Sequence, residues 1–238
     1  MKILLVNDDS IHAPGIALLA QKAVEFGDVW VVAPASQCSA MSQKLTLSEK
    51  LTVKAAENFP VAVKGAWQVG GTPVDCVKVA LDYILEEKPD IVFSGINNGY
   101  NTGFDTANSG TLGAAFEALR FGIPAIAFSA ANDSHLEAVE PHLAGVIAEL
   151  LEADPGYGNV WNVNFPALRT HPLMGTLRDR TLAKASMYSE HYIEESREDG
   201  TVLLNCTGIP TPDEAFDEGS DALAVRQGYI SIGKVRAF

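Results

Sequence analysis

With 238 residues and 47% apolar side chains, the chain is long enough to bury one large core, and it contains no internal repeat or low-complexity tract. Thirty acidic residues against 17 basic ones give a formal charge of -13 with no Lys/Arg-rich stretch, which argues against long nucleic acid and anionic membrane as partners. The three cysteines, Cys38, Cys76 and Cys206, are odd in number and lack C-x-x-C spacing, and no apolar run reaches the length of a leader or a membrane span. Disulfide scaffolds, structural zinc and membrane insertion are therefore set aside, and the cytoplasm is the expected compartment.

The first element is an apolar strand, KILLV at 2–6, that runs straight into Asn7-Asp8-Asp9. Pro14 suits the first turn of a helix over 14–26, and VWVVAP at 29–34 is a second strand. LTVKAA and VAVKGA, at 51–56 and 61–66, read as a small pair of extra strands. Thr72-Pro73 with Asp75 marks a capped helix start, and the helix is expected over 73–87. DIVFSGI at 90–96, a helix over 110–121, IPAIAFS at 123–129, a helix over 135–152 and NVWNVNF at 159–165 continue the alternation. This βαβ rhythm, with strands apolar throughout, predicts an α/β fold: a Rossmann-like, mostly parallel sheet with helices on both faces.

From about His171 the text becomes charged and strand-like. MYSEHYIEES and TVLLNCTG flank the turn REDG and read as a long projecting hairpin, whose open edges point to pairing with another subunit. SDALAVRQGYISIGKV reads as a short helix and a strand. A catalytic core over 1–170 and an oligomerisation segment over 171–238 follow as the expected division.

Polar clusters recur at the carboxyl ends of the strands, where open parallel sheets bind ligands. Asp8 and Asp9 follow the first strand; Ser36, Ser39 and Ser42 the second; Asn97, Asn98 and Asn101 follow DIVFSGI; and Asn108-Ser109-Gly110-Thr111 leads into the next helix. Two adjacent carboxylates repel and need a positive partner, yet Lys44 is the only cationic side chain in these loops. A divalent cation answers that need, and a donor set of carboxylate, hydroxyl and amide oxygens selects Mg²⁺ or Mn²⁺ over zinc. The SGTLG helix start, with Gly110 and Gly113 allowing close approach and Ser109 and Thr111 adding hydroxyls, can receive a phosphate. Together these parts serve phosphoryl transfer. Taken singly each has a plainer reading: the Asp pair as a cap, Ser109 as an N-cap, Asn97-Asn98-Gly99 as a turn, His12 as a loop residue.

At these residues the sequence resembles the SurE (survival protein E) nucleotidase family. The likeness rests on VNDDSIHAPGI, SAMSQKLTL, GGTPVDCVKVAL, SGINNGYNTGFDTANSGTLGAAFEAL, WNVNFP and SDALAVRQGYISI, and spans nearly the whole chain. The resemblance implies a metal-dependent phosphatase, a phosphoric monoester hydrolase that cleaves nucleoside 5′- and 3′-monophosphates. It also implies a swapped C-terminal segment and assembly as a homodimer or homotetramer. By matching position, Asp8, Asp9, Ser39 and Asn97 are implied as ligands of one divalent cation per subunit. Asn101 and Ser109-Gly110-Thr111 are implied at the phosphate, with Asp8 as nucleophile or base. Members often carry Gly where this chain has Ser10, and 171–219 matches least. The rival class is a non-enzymatic Mg²⁺-binding phospho-receiver or sensor, which needs an Asp after its third strand and a Lys after its fifth. This chain has Asn97 and no Lys in FSAAND or NFPALR.

Overall fold

The computed structural model describes residues 1–132, 136, 138–168 and 172–237. Its main sheet contains β1 (Lys2–Val6), β2 (Asp28–Pro34), β3 (Val53–Ala55), β4 (Gly65–Val69), β5 (Ile91–Asn98), β6 (Ala125–Ala130), β7 (Asn159–Phe165), β8 (Gly175–Arg180) and β11 (Tyr229–Arg236). The strands lie in the order β3-β4-β2-β1-β5-β6-β7-β11-β8. β4, β2, β1, β5, β6 and β7 are mutually parallel, while β3 and β11 run antiparallel to β4 and β7.

Strand alternation sends side chains to two cores. Ile3, Leu5, Val31, Phe93 and Phe128 pack on one face with Ile16 and Leu19 of α1 (Pro14–Ala23) and Val146, Ile147 and Leu150 of α4 (Leu143–Leu151). Leu4, Val6, Val32 and Val92 pack on the other with Cys76 and Val77 of α2 (Pro73–Val79) and Leu112, Ala115 and Ala118 of α3 (Gly110–Arg120). Helices thus cover both faces, as a continuous apolar parallel sheet requires.

The chain builds from β1 outward through β2 to β4, then returns to the other side of β1 and builds through β5, β6 and β7. The reversal places a crevice between the carboxyl ends of β1 and β5. Those are the strands that end at Asp8-Asp9 and at Asn97-Asn98.

Several elements differ from expectation. The strand read in VAVKGA lies later, at Gly65–Val69, because Gly65 pairs with Trp30 and residues 61–62 fall beyond the start of β2. The helix expected over 73–87 is α-helical to Val79 and closes in a π turn over Ala80–Ile84. The helix expected over 135–152 begins partly outside the described residues and is regular from Leu143. β8 was not foreseen: GTLRDR is polar because it is the sheet's edge and largely exposed.

After residue 170 the chain contributes to both sheets. β8 and β11 join the core sheet, with β11 lying between β7 and β8 of its own chain, and only the hairpin of β9 (Tyr188–Glu198) and β10 (Thr201–Pro210) forms a separate sheet. Its tip is Asp199-Gly200, both at positive φ (48° and 79°), the two-residue turn whose twist matches paired strands. The short helix α5 (Asp221–Arg226) precedes β11 as expected.

Candidate active site

Asp8 is buried and Asp9 half-buried at the mouth of this crevice. The turn that carries them is held by Asn7, whose side-chain amide donates to the Ser10 carbonyl at 2.8 Å. Ser10 takes a φ of 94°, a left-handed value that favours glycine.

Burial, and next the carboxylate of Asp9, push Asp8 up from 3.8 to about 6. The Thr111 hydroxyl, which donates to Asp8 Oδ1 at 2.9 Å, and the Thr111 amide give partial relief. Asp9 accepts from the Asn98 amide at 2.7 Å and from Gln37 Nε2 at 3.3 Å. The β1 and β5 loops are therefore joined through a carboxylate. No Lys or Arg is paired with either aspartate among the described residues.

Ser39 sits on an exposed turn that is tethered from several sides. Cys38 N donates to the Asp8 carbonyl at 2.7 Å, Ser42 N and Oγ donate to the carbonyls of Asn108 and Ala107, and Thr46 donates to the buried Asp75 through both its amide and its hydroxyl. Asp75 also completes the capping box with Thr72 at the start of α2. The loop that carries Ser39 is thus anchored to β1, α2 and the α3 approach together.

Asn97 donates its side-chain amide to the Gly99 carbonyl at 2.7 Å, which leaves Oδ1 as its free acceptor. Ser109 caps α3 by accepting from Leu112 N at 3.1 Å, so its plainer role is realised while its hydroxyl proton stays available. A Cβ at Gly110 would lie 3.1 Å from both Cβ and Oδ2 of Asp8 and 3.2 Å from Pro73, so the helix start approaches the aspartate as only glycine comfortably allows. The close approach at Gly113 is to the backbone of Ser42, and there it serves the packing of the Ser39 loop.

Asn101 lies deeper, held from below. Its backbone N–H donates to Asn164 Oδ1 at 2.8 Å, its carbonyl accepts from Asn162 and Asn164, and its side-chain amide donates to Ser129 Oγ at 2.8 Å. Asn162, Asn164 and Ser129 were not singled out from the sequence, although two asparagines alternating with apolar residues in an otherwise buried strand were a visible signal. His12 lines a separate cleft of about 670 Å³, with Phe59, Lys54 and Gln68.

Among the described residues no three His, Cys, Asp or Glu side chains gather as a metal site. What the crevice brings near one another are the ends of neighbouring strands: Asp8 and Asp9 after β1, Asn97 at the end of β5, and Ser39 on the loop whose Cys38 amide is tied to the Asp8 carbonyl. That set is hard and anionic, and burial of Asp8 beside Asp9 disfavours two negative charges there unless a cation offsets them. The residues fit a divalent cation of the Mg²⁺ or Mn²⁺ kind.

Residues 3–188 match the family described as Survival protein SurE. The chain is 36% identical over 236 residues to the 5'/3'-nucleotidase SurE of Shigella dysenteriae serotype 1 (strain Sd197), covering 99% of this chain and 90% of that protein. It is also similar to the crystal structure of the SurE protein from Aquifex aeolicus, with a TM-score of 0.82 and 32% identity over 100% of this chain and 94% of that one. The crevice, the sheet order that creates it and these likenesses agree, and the chain belongs to the Survival protein SurE family.

Proposed function

We propose that this protein is a metal-dependent phosphatase that hydrolyses nucleoside 5′- and 3′-monophosphates to nucleoside and phosphate. The observation that carries the reading is the adjacent pair of buried Asp8 and half-buried Asp9 at the sheet's reversal point, with Asp8 against the start of α3 and no Lys or Arg paired with either among the described residues. The name of the Shigella relative supports the substrate class. Asp8, Asp9, Ser39 and Asn97 would hold one Mg²⁺ or Mn²⁺ per subunit, which when bound supplies Lewis-acid neutralisation of phosphoryl charge.

The chain's own groups do the rest. The Gly110 amide, the Ser109 hydroxyl and the Asn101 amide orient the phosphate, and the α3 dipole favours its negative charge. Thr111 fixes Asp8 through Oδ1, so Oδ2 is the oxygen that attacks phosphorus or takes the proton of an attacking water. The P–O ester bond breaks in line as the new bond to phosphorus forms, and the departing nucleoside oxygen takes up a proton from water; where Asp8 itself attacks, a second water then cleaves the aspartyl-phosphate to phosphate and free carboxylate.

The direct check is phosphate release from a panel of 5′- and 3′-monophosphates with Mg²⁺, with Mn²⁺ and with chelator. Release that depends on metal is expected; release undiminished by chelator, or none from any nucleotide, overturns the reading. The buried thiols of Cys38 and Cys76 are free, in keeping with a reducing cytoplasmic setting, and among the described residues no helix is long and apolar enough to cross a membrane.

The hairpin supports a homodimer or homotetramer. Tyr192, Leu203, Leu204 and Ile209 are all more than half exposed on a ribbon that, among the described residues, pairs with no third strand. A second copy of the chain is the occupant with matching edges. Replacing 190–208 by a short Asn-Gly turn is expected to convert the assembly to monomer in light scattering, and an unchanged mass would remove the hairpin from the interface.

A further inference from the structure

β7 sits in mid-sheet between β6 and β11, and its residues alternate between the two cores. Trp161, Val163 and Phe165 face the α1/α4 side, and Val160 faces the α2/α3 side. By that alternation the next two places on Val160's face belong to Asn162 and Asn164, 2% and 0% exposed. Burying an amide costs free energy unless its groups are paired, and Asn162 leaves its own Oδ1 without a partner. Valine at that place would carry no such cost. The asparagines therefore serve something other than core packing.

What they serve is one loop residue. Asn164 grips the Asn101 backbone with two reciprocal bonds, 2.8 and 3.1 Å, as a neighbouring strand's peptide would, and Asn162 adds a third at 2.8 Å. With the backbone fixed, Ser129, which pairs with Asn164 across β6 and β7, accepts one of the two Asn101 amide hydrogens at 2.8 Å. The plane of that amide is then set, and its second hydrogen has one direction left. Asn101 is 5% exposed, so little of it reaches the crevice and its aim matters.

We infer that Ser129, seated with Asn162 and Asn164, is a positioning residue that aims the Asn101 amide at the phosphate. This rests on the phosphatase reading. Ser129→Ala removes one acceptor and fills the same volume, so the fold survives. The loss of one fixed hydrogen bond weakens phosphate contact by about three- to tenfold. Because the contact exists in ground and transition states alike, it appears as a rise in KM with kcat within twofold.

The test measures KM and kcat on a nucleoside monophosphate and the affinity for inorganic phosphate by calorimetry, both with Mg²⁺. The proteins compared are wild type, Ser129→Ala, Asn101→Ala and the double variant. The expected result is a matching three- to tenfold change in KM and phosphate affinity for Ser129→Ala, absent when Asn101 is already alanine. An active wild type with KM unmoved by Ser129→Ala, a fall in kcat alone, or an equal effect in the Asn101→Ala background overturns the positioning role only. A wild type that neither binds phosphate nor releases it from a nucleotide overturns the phosphatase reading and this inference with it.

Discussion

Asp8→Asn is expected to stabilise the protein in chelator at pH 7.5 while removing phosphatase activity. The folded protein holds the Asp8 proton up to about 6 against 3.8 for the free side chain, which corresponds to about 3 kcal/mol of folding free energy lost on ionisation. The sign follows from which state binds the proton more tightly. Below pH 3.8 both folded and unfolded chains are protonated and the cost is absent; between 3.8 and about 6 it grows; above that it is complete. Asparagine keeps the acceptor for Thr111 and never ionises, so at pH 7.5 the variant gains up to about 3 kcal/mol, roughly 6–12 °C in Tm for a chain of this size.

The gain is expected to shrink as the pH is lowered from 7.5 to 4, because wild type then carries the proton too. Added Mg²⁺ or Mn²⁺ is expected to raise the wild-type Tm and leave the variant nearly unmoved, since half the carboxylate pair is gone. Thermal melts of both proteins across pH, with and without metal, test each step. An Asp8→Asn protein that melts at or below wild type at pH 7.5 would sink the claim that this carboxylate is held at the expense of stability. Near-normal turnover in it would sink the catalytic role.

What the sequence announced most clearly was the ends of strands. Asp8-Asp9 and Asn97-Asn98 stand out because apolar strands run straight into polar text, and the sheet reversal that brings those strand ends together follows from the alternation of elements. The finer wiring was hidden for physical reasons. That Thr111 spends its hydroxyl on Asp8, and that Gly113 faces Ser42, depends on how α3 docks against two loops, which no local spacing encodes. Asn162 and Asn164 were read as part of an apolar strand, although their polarity was the signal of a support beneath Asn101. β8 escapes sequence reading because an exposed edge strand needs no apolar alternation, and of the helix expected over 135–152 the described residues 138–142 form turns before α4 begins at Leu143, where LAGVIAELL has the helical spacing.

Asp221→Ala is expected to lower stability, where Asp8→Asn raises it, and to reach the crevice from far along the chain. Asp221 is 2% exposed at the first turn of α5, and no cation is paired with it among the described residues. Its carboxylate instead accepts from Ala183 N at 2.9 Å, Ala222 N at 2.8 Å and Gly103 N at 3.1 Å, so it joins the C-terminal helix, the approach to the hairpin and the loop that carries Asn101. Burial raises its pKa, and the three backbone amides work against that rise.

Alanine would strand the amides of Gly103 and Ala183 in the interior, at about 1–3 kcal/mol each, offset in part by relief of the buried charge. A net loss of about 2–4 kcal/mol is expected, read as a Tm lower by roughly 10 °C. Asp221→Asn keeps one acceptor oxygen and should fall between the two. With Gly103 released, the 101–106 loop loses its far anchor, and KM for a nucleotide is expected to rise at temperatures where the variant is still folded. Alanine at 221 with a wild-type Tm would show that other contacts hold this loop. A lowered Tm with an unchanged KM would confine Asp221 to stability and leave the aim of Asn101 to β7 alone.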